Sequence, residues 1–171
     1  MTGIVPGDPG SISLAGAHAR GAAGALRSAA VEVATAYLDI GLGWPGRASV
    51  GHRRGADDLV TASREVAETL EEVAGVLQDH ATDLAELRAR ARVLDGRLAA
   101  AGAMVRDGVV RRRPGVRGVV GAAPPDDDLV ALQAEVDLVR TLLDRRRAFV
   151  LDRLRASTDA LSGLSHSLRA R

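Results

Sequence analysis

The stretch LVTASREVAETLEEVAGVLQDHATDLAELRARARVLDGRL, residues 59–98, decides the fold class. Within it Leu59, Ser63, Val66, Leu70, Val73, Leu77, His80, Leu84, Leu87, Ala91, Leu94 and Leu98 follow one another in alternating steps of four and three. That is the heptad spacing of a long helix packed against other helices, sustained over more than five repeats. No proline interrupts it. The spacing predicts a helix over about 49–107, roughly 80 Å long at 1.5 Å per residue. Gly96, Gly102 and Gly108 weaken its far end. The apolar row Leu59, Val66, Leu70, Val73, Leu77, Leu84, Leu87, Leu94 and Leu98 is the expected interaction seam.

Residues 1–10 read as a leader, with Met1 to Gly7 expected to be loose. Asp8-Pro9 offers a helix start, since an Asp side chain caps free amides and proline fits the first turn. The helix expected over 11–40 carries Leu14, Ala22, Leu26, Ala29, Val33, Tyr37 and Ile40 near one face. Its Gly16, Gly21 and Gly24 each cost up to about 1 kcal/mol relative to alanine, so it is expected to be the weakest element. Gly41-Leu42-Gly43-Trp44-Pro45-Gly46 then breaks the helix and reverses the chain. On the other side, 108–125 reads as a linker, with Arg111-Arg112-Arg113, Pro114-Gly115 and Pro124-Pro125. A third helix is expected over 126–171, begun by Asp126, Asp127 and Asp128, whose carboxylates suit a helix N-terminus. Its seam is Leu129, Leu132, Val136, Val139, Leu143, Val150, Leu154, Leu161, Leu164 and Leu168, interrupted at Arg146 and Ser157. The fold class is all-α: an antiparallel helical hairpin, residues 11–107, with a third long helix.

Charge is segregated along the two long helices. Glu65, Glu68, Glu71, Glu72, Asp79, Asp83 and Glu86 precede Arg88, Arg90, Arg92, Arg97 and Arg106 on one. Asp126, Asp127, Asp128, Glu135 and Asp137 precede Arg140, Arg145, Arg146, Arg147, Arg153 and Arg155 on the other. Antiparallel packing sets each acidic block against a basic one, with Arg97 near Asp137 and Glu86 near Arg147. One exposed pair is worth about 0–1 kcal/mol. Several together select an orientation.

Composition narrows the function classes. The chain has 171 residues, 2% aromatics and no cysteine. Thiolate metal sites and disulfides are therefore excluded. A core of Ala, Leu and Val suits close helix packing and poorly suits a deep ligand pocket. The net charge of +1 does not suit a polyanion, so no nucleic-acid partner is expected. No apolar run is long enough to span a bilayer, so no stable membrane insertion is expected. The N-terminus lacks the basic and apolar regions of a Sec-type signal.

The helix–Trp44-Pro45-Gly46–helix arrangement resembles the WxG family of small helical-hairpin type VII (ESX) secretion proteins. Ala48, Gly7-Asp8-Pro9 and the alanine-rich first helix are similar to its actinobacterial members, over about residues 7 to 100. The resemblance implies a non-enzymatic protein that pairs with another helical hairpin, as a homo- or hetero-oligomer, and with the secretion machinery. It implies a secretion substrate, co-substrate or chaperone-like partner, secreted or in the cell envelope. The alternative is a cytoplasmic coiled-coil scaffold. Two features depart from the family pattern. The Tyr-x-x-x-Asp/Glu export signal is absent, since Tyr37 is followed four residues later by Gly41. The third helix is additional. In the hairpin, Trp44 would cover the open end with its ring, and Gly46 lets the chain turn where a side chain would clash.

No catalytic constellation stands out, so no enzyme activity and no cofactor are expected. His18, His52, His80 and His166 form no H-E-x-x-H pattern, and no G-x-S-x-G elbow or phosphate loop is present. Asp79, His80 and Asp83 lie close on one helix, but His80 falls on the seam and reads as a packed histidine. Arg111, Arg112, Arg113 and Arg117 have no interleaved aromatics for base stacking and read as a solvated linker.

Overall fold

The computed structural model describes residues 4–43, 46–113 and 126–169. Trp44 and Pro45 of the expected turn, Pro114, Gly115, Arg117, Pro124 and Pro125 of the expected linker, and Arg171 lie outside the described residues. So do the side chains of Ile40, Ala48 and Asp126. The element order is α1 (Pro9–Gly43), α2 (Arg47–Ala100), β1 (Ala103–Arg106), β2 (Val109–Arg112) and α3 (Asp126–Arg169). The described residues are mostly helical, with one small antiparallel strand pair among them.

Local chemistry sets the boundaries. Asp8 Oδ1 accepts the Gly10 N–H at 3.2 Å, and Pro9 occupies the first helical position. Gly46 has φ +148, a backbone conformation that side-chain-bearing residues rarely adopt. Ser49, buried at the start of α2, donates to the Gly46 carbonyl at 2.7 Å and accepts from Arg53 at 2.8 Å.

The expected helix over 49–107 ends early, at Ala100. Gly102 adopts φ +63, and its N–H closes a tight last turn on Ala99 O at 3.0 Å. The chain then forms a hairpin with Ala103 opposite Arg112 and Arg106 opposite Val109. Asp107 (φ 55) and Gly108 (φ 82) make the two-residue turn. Two consecutive positive φ values match the twist of paired strands, and Asp-Gly is among the residue pairs that adopt them. The segment expected as helix end and linker is thus partly a β-hairpin, with Arg111 and Arg112 on its second strand.

The chain divides into two compact units. One comprises Met1–Gly10 and His80–Phe149, the other Ser11–Asp79 and Val150–Arg171. In the first, α2 and α3 run antiparallel. Arg97 bonds Glu135 at 2.5 Å, and Asp83 bonds Arg146, so residue number falls on α2 as it rises on α3. The expected partners differ in detail. Asp137 accepts from Gln133 at 2.9 Å, and Arg147 donates to a backbone carbonyl. The core of this unit is Leu94, Leu98, Ala103, Leu132 and Val136, with Ile4, Val105, Val110 and Leu129 packed against it. Burying each large aliphatic side chain contributes roughly 1.5–3 kcal/mol.

In the second unit Ser13 Oγ donates to Gln78 Oε1 at 3.0 Å, and Arg27 bonds Glu71 at 2.5 Å. There α1 and α2 also run in opposite directions. Their contact is made by small residues. Ala23, Ala67 and Ala74 are completely buried, and Ala30 nearly so. A Cβ on Gly16 would sit 3.2 Å from the Ala74 carbonyl oxygen, which marks a close backbone approach. The face expected on α1 is therefore corrected in part: Leu26, Val33 and Tyr37 are half-buried. Leu14 is 57% exposed, and Ala22 and Ala29 are exposed, while Gly16, Ala23 and Ala30, seven apart, face inward. Large side chains at those positions would force the helices apart.

Candidate interaction surfaces

One row of the expected α2 seam is buried within the chain itself, and the other is displaced. Leu84, Leu94 and Leu98 are buried, and Leu70, Leu77 and Leu87 are half-buried. From Ala56 to Ala81 the second buried row is Val60, Ala67, Ala74 and Ala81, each one residue later than Leu59, Val66, Val73 and His80. Val66 and Val73 flank that row half-buried, and Leu59 is 46% exposed. Heptad spacing is preserved, and alanine fills the positions where backbones approach closely. On α3, Leu132, Val136, Val139, Leu143 and Val150 are buried as expected. Leu129, Leu154, Leu161 and Leu164 are half-buried, and Leu168 is exposed. Arg146, which breaks the apolar row, is the partner of Asp83.

Of the turn motif, Gly46 alone is described. It is exposed, and a Cβ there would meet nothing within 4 Å, so the constraint on it is its φ. Near it in the sequence, Ala34, Tyr37, Leu38, Arg53, Asp57 and Val60 are among the residues lining an open groove of about 630 Å³. Leu38 is 71% exposed and Val31, one heptad before it, 59%. A second groove, about 550 Å³, lies between α2 and α3 in the first unit. Leu87, Leu142 and Phe149 give it an apolar floor, and Glu86, Arg90 and Arg145 are among its charged walls.

The leader is not loose over its described part. Val5 is 6% exposed, and Ile4 packs on the Leu94–Leu98–Leu132–Val136 cluster. Arg147 donates to Pro6 O at 3.1 Å, and Arg88 donates to Gly7 O at 2.9 Å. Gly7, at φ +126, lies so close to α2 that a Cβ would come within 2.9 Å of Leu84 Cδ2. Residues 4–7 therefore form a strap across α2 and α3. The signal for it was Ile4-Val5, an apolar pair ahead of a capped helix start.

Gln133 on α3 ties down the β-hairpin. Its Oε1 accepts the Val110 N–H at 2.6 Å, and its Nε2 donates to Gly108 O at 3.0 Å. The sequence carries no local signal for this clamp, because the hairpin it serves lies in a segment with the composition of a linker.

Among the described residues no cluster of three or more His, Asp or Glu could hold a metal ion. Asp79 is exposed and Asp83 is paired with Arg146. His166 Nδ1 bonds Ser162 O at 2.8 Å, and His18 and His52 are exposed. His80 differs from them: its Nδ1 is buried without a hydrogen-bond partner. Burial pushes its pKa below the usual histidine value; Asp83 opposes this, and Arg147 and Arg146 reinforce it. Among the described residues no helix is long and apolar enough to cross a membrane.

No protein-family model, curated protein or solved structure matches the chain.

Proposed function

We propose that this chain is a non-enzymatic helical interaction protein associated with type VII secretion, acting as a substrate, co-substrate or chaperone-like partner. The observation that carries the reading is the pair of helices flanking Trp44-Pro45-Gly46. They run in opposite directions and pack through Gly16, Ala23, Ala67 and Ala74. Gly46 adopts a glycine conformation between them. These features support the reading as a W-x-G hairpin. Val31, Leu38 and the groove beside Tyr37 supply an apolar strip for a second amphipathic hairpin, which would bind as helix against groove.

The test is export. A tagged chain is expressed in an actinobacterial host with a working ESX system and in the same host lacking the secretion ATPase. The expected result is tagged chain in the culture filtrate of the first strain only, reduced by Trp44→Arg. For a chaperone-like role, the expected result is retention in the cell in a complex with an exported hairpin protein. Equal distribution in both strains, with no such complex, overturns the proposal.

A second reading, a cytoplasmic coiled-coil scaffold, draws on α3. Leu138, Leu142, Phe149 and Leu151 are exposed there, as on a helix that meets further copies. Self-association that survives loss of the Trp44 motif favours it.

A further inference from the structure

The strap points to a binding site that stands apart from the type VII reading. Four features define it. Val5 is buried, Ile4 sits on the apolar cluster, and Arg147 and Arg88 donate to the consecutive carbonyls of Pro6 and Gly7. Gly7 presses against Leu84 with φ +126. The strap runs from the Leu94–Leu98 end of α2 toward Leu84 and Arg88, so its direction is opposite to that of α2. Its polar contacts are made to main-chain carbonyls and its apolar contacts to two side chains. The site thus reads an extended backbone, two apolar residues and a glycine, and any segment presenting them fits it.

We infer that the α2–α3 surface of the first unit is a docking site for the extended segment Ile4-Val5-Pro6-Gly7, filled in cis by the chain's own segment and open to the same segment of a second copy. In cis the segment is held at high effective concentration, so a separate copy competes poorly until the strap is released.

Two full-length variants separate the partners. Gly7→Val ejects the strap, because a β-branched residue does not tolerate that φ and its Cβ meets Leu84. Its receiving surface stays intact. The double variant Arg88→Ala/Arg147→Ala keeps the strap sequence intact but removes both donors that hold it. The probe is a fluorescent acetylated peptide of residues 3–8, titrated by anisotropy. Binding to Gly7→Val is expected to be about tenfold or more tighter than to the parent, whose own strap competes. Binding is expected to be lost in Gly7→Val carrying Arg88→Ala/Arg147→Ala. Mixing Gly7→Val with the Arg88→Ala/Arg147→Ala chain should give a one-to-one pair by light scattering, absent from either alone. Val5→Asp is the second ejecting variant and should behave as Gly7→Val does. Equal peptide binding by parent and both ejecting variants overturns the inference, and so does no binding by variants of parental helicity. Peptide binding without pairing of the two chains overturns the second copy as occupant. Loss of the fold in both ejecting variants makes the strap an obligatory part of the core and overturns it as well.

Discussion

Arg97 on α2 donates to both carboxylate oxygens of Glu135 on α3, at 2.6 and 2.5 Å. With Asp83 and Arg146 bonded further along, this contact fixes the antiparallel register of the two helices in their unit. Both partners of the Arg97 pair are substantially exposed, so the pair is worth about 0–1 kcal/mol and specifies register more than it stabilises. Glu135→Arg should lower stability by about 1 kcal/mol or less, mainly at low salt, where screening is weak. The swap Arg97→Glu with Glu135→Arg should restore most of the loss in urea unfolding. A swap that is no better than the single change would mean the two side chains do not interact.

How much of this packing was legible depends on side-chain size. The period that places Leu84, Leu94 and Leu98 inside is written in large apolar residues, and it holds. The row Val60–Ala67–Ala74–Ala81 is written mostly in alanine, which is equally common on exposed helix faces. A reading that ranks residues by hydrophobicity therefore chose Leu59, Val66 and Val73 one position away. The same bias selected Leu14 over Gly16 on α1. Asp107-Gly108 was a hairpin signal between valines, but it lay at the end of a long helical period and was absorbed into it. Ile4-Val5 marks the strap only as an apolar pair, while its seat depends on long-range contacts to Leu84, Arg88 and Arg147, which no local pattern encodes. The antiparallel α2–α3 orientation was legible because charge blocks, unlike single residues, survive a shift of register.

The alanine row gives a sharp contrast between neighbouring positions. Ala67→Leu and Ala74→Leu should each cost about 1–3 kcal/mol by overpacking a site that is completely buried. Leu59→Ala, at a residue 46% exposed, should change stability by less than about 1 kcal/mol. Chemical denaturation of the three variants checks this, and the reverse order would restore the Leu59 row as the packed seam.

Gln133 satisfies two backbone groups of the β-hairpin at once. Gln133→Leu should cost about 1–3 kcal/mol, since the Val110 N–H and Gly108 carbonyl lose their partner. The loss should appear as faster amide exchange at Val110. An unchanged Val110 exchange rate would show that the hairpin does not depend on α3 for this bond.

His80 predicts an acid-side loss of stability. Its pKa in the folded chain lies below the unfolded value of 6.5, chiefly through burial, with Arg147 and Arg146 acting in the same direction against Asp83. Between the two values the unfolded chain binds the extra proton, so stability is highest above about pH 6.5 and falls as the pH drops through that window. His80→Leu should flatten this dependence and leave stability at pH 7.5 equal or higher, because Nδ1 has no hydrogen bond to lose. Urea midpoints of both chains at pH 5 and 7.5 check it. An equally steep fall in the variant would assign the effect to other groups.

The central claim, a helical hairpin that works by pairing with another W-x-G hairpin, is tested most directly by placing a photo-cross-linking residue at Leu38. That position is 71% exposed beside the groove of Tyr37, Arg53 and Val60. After illumination in an actinobacterial host with an active type VII system, the covalent product is identified by mass spectrometry. The account predicts an adduct with a small W-x-G hairpin protein, lost when Val31 is changed to Asp. Absence of any adduct, or adducts only with proteins that are not helical hairpins, would contradict it.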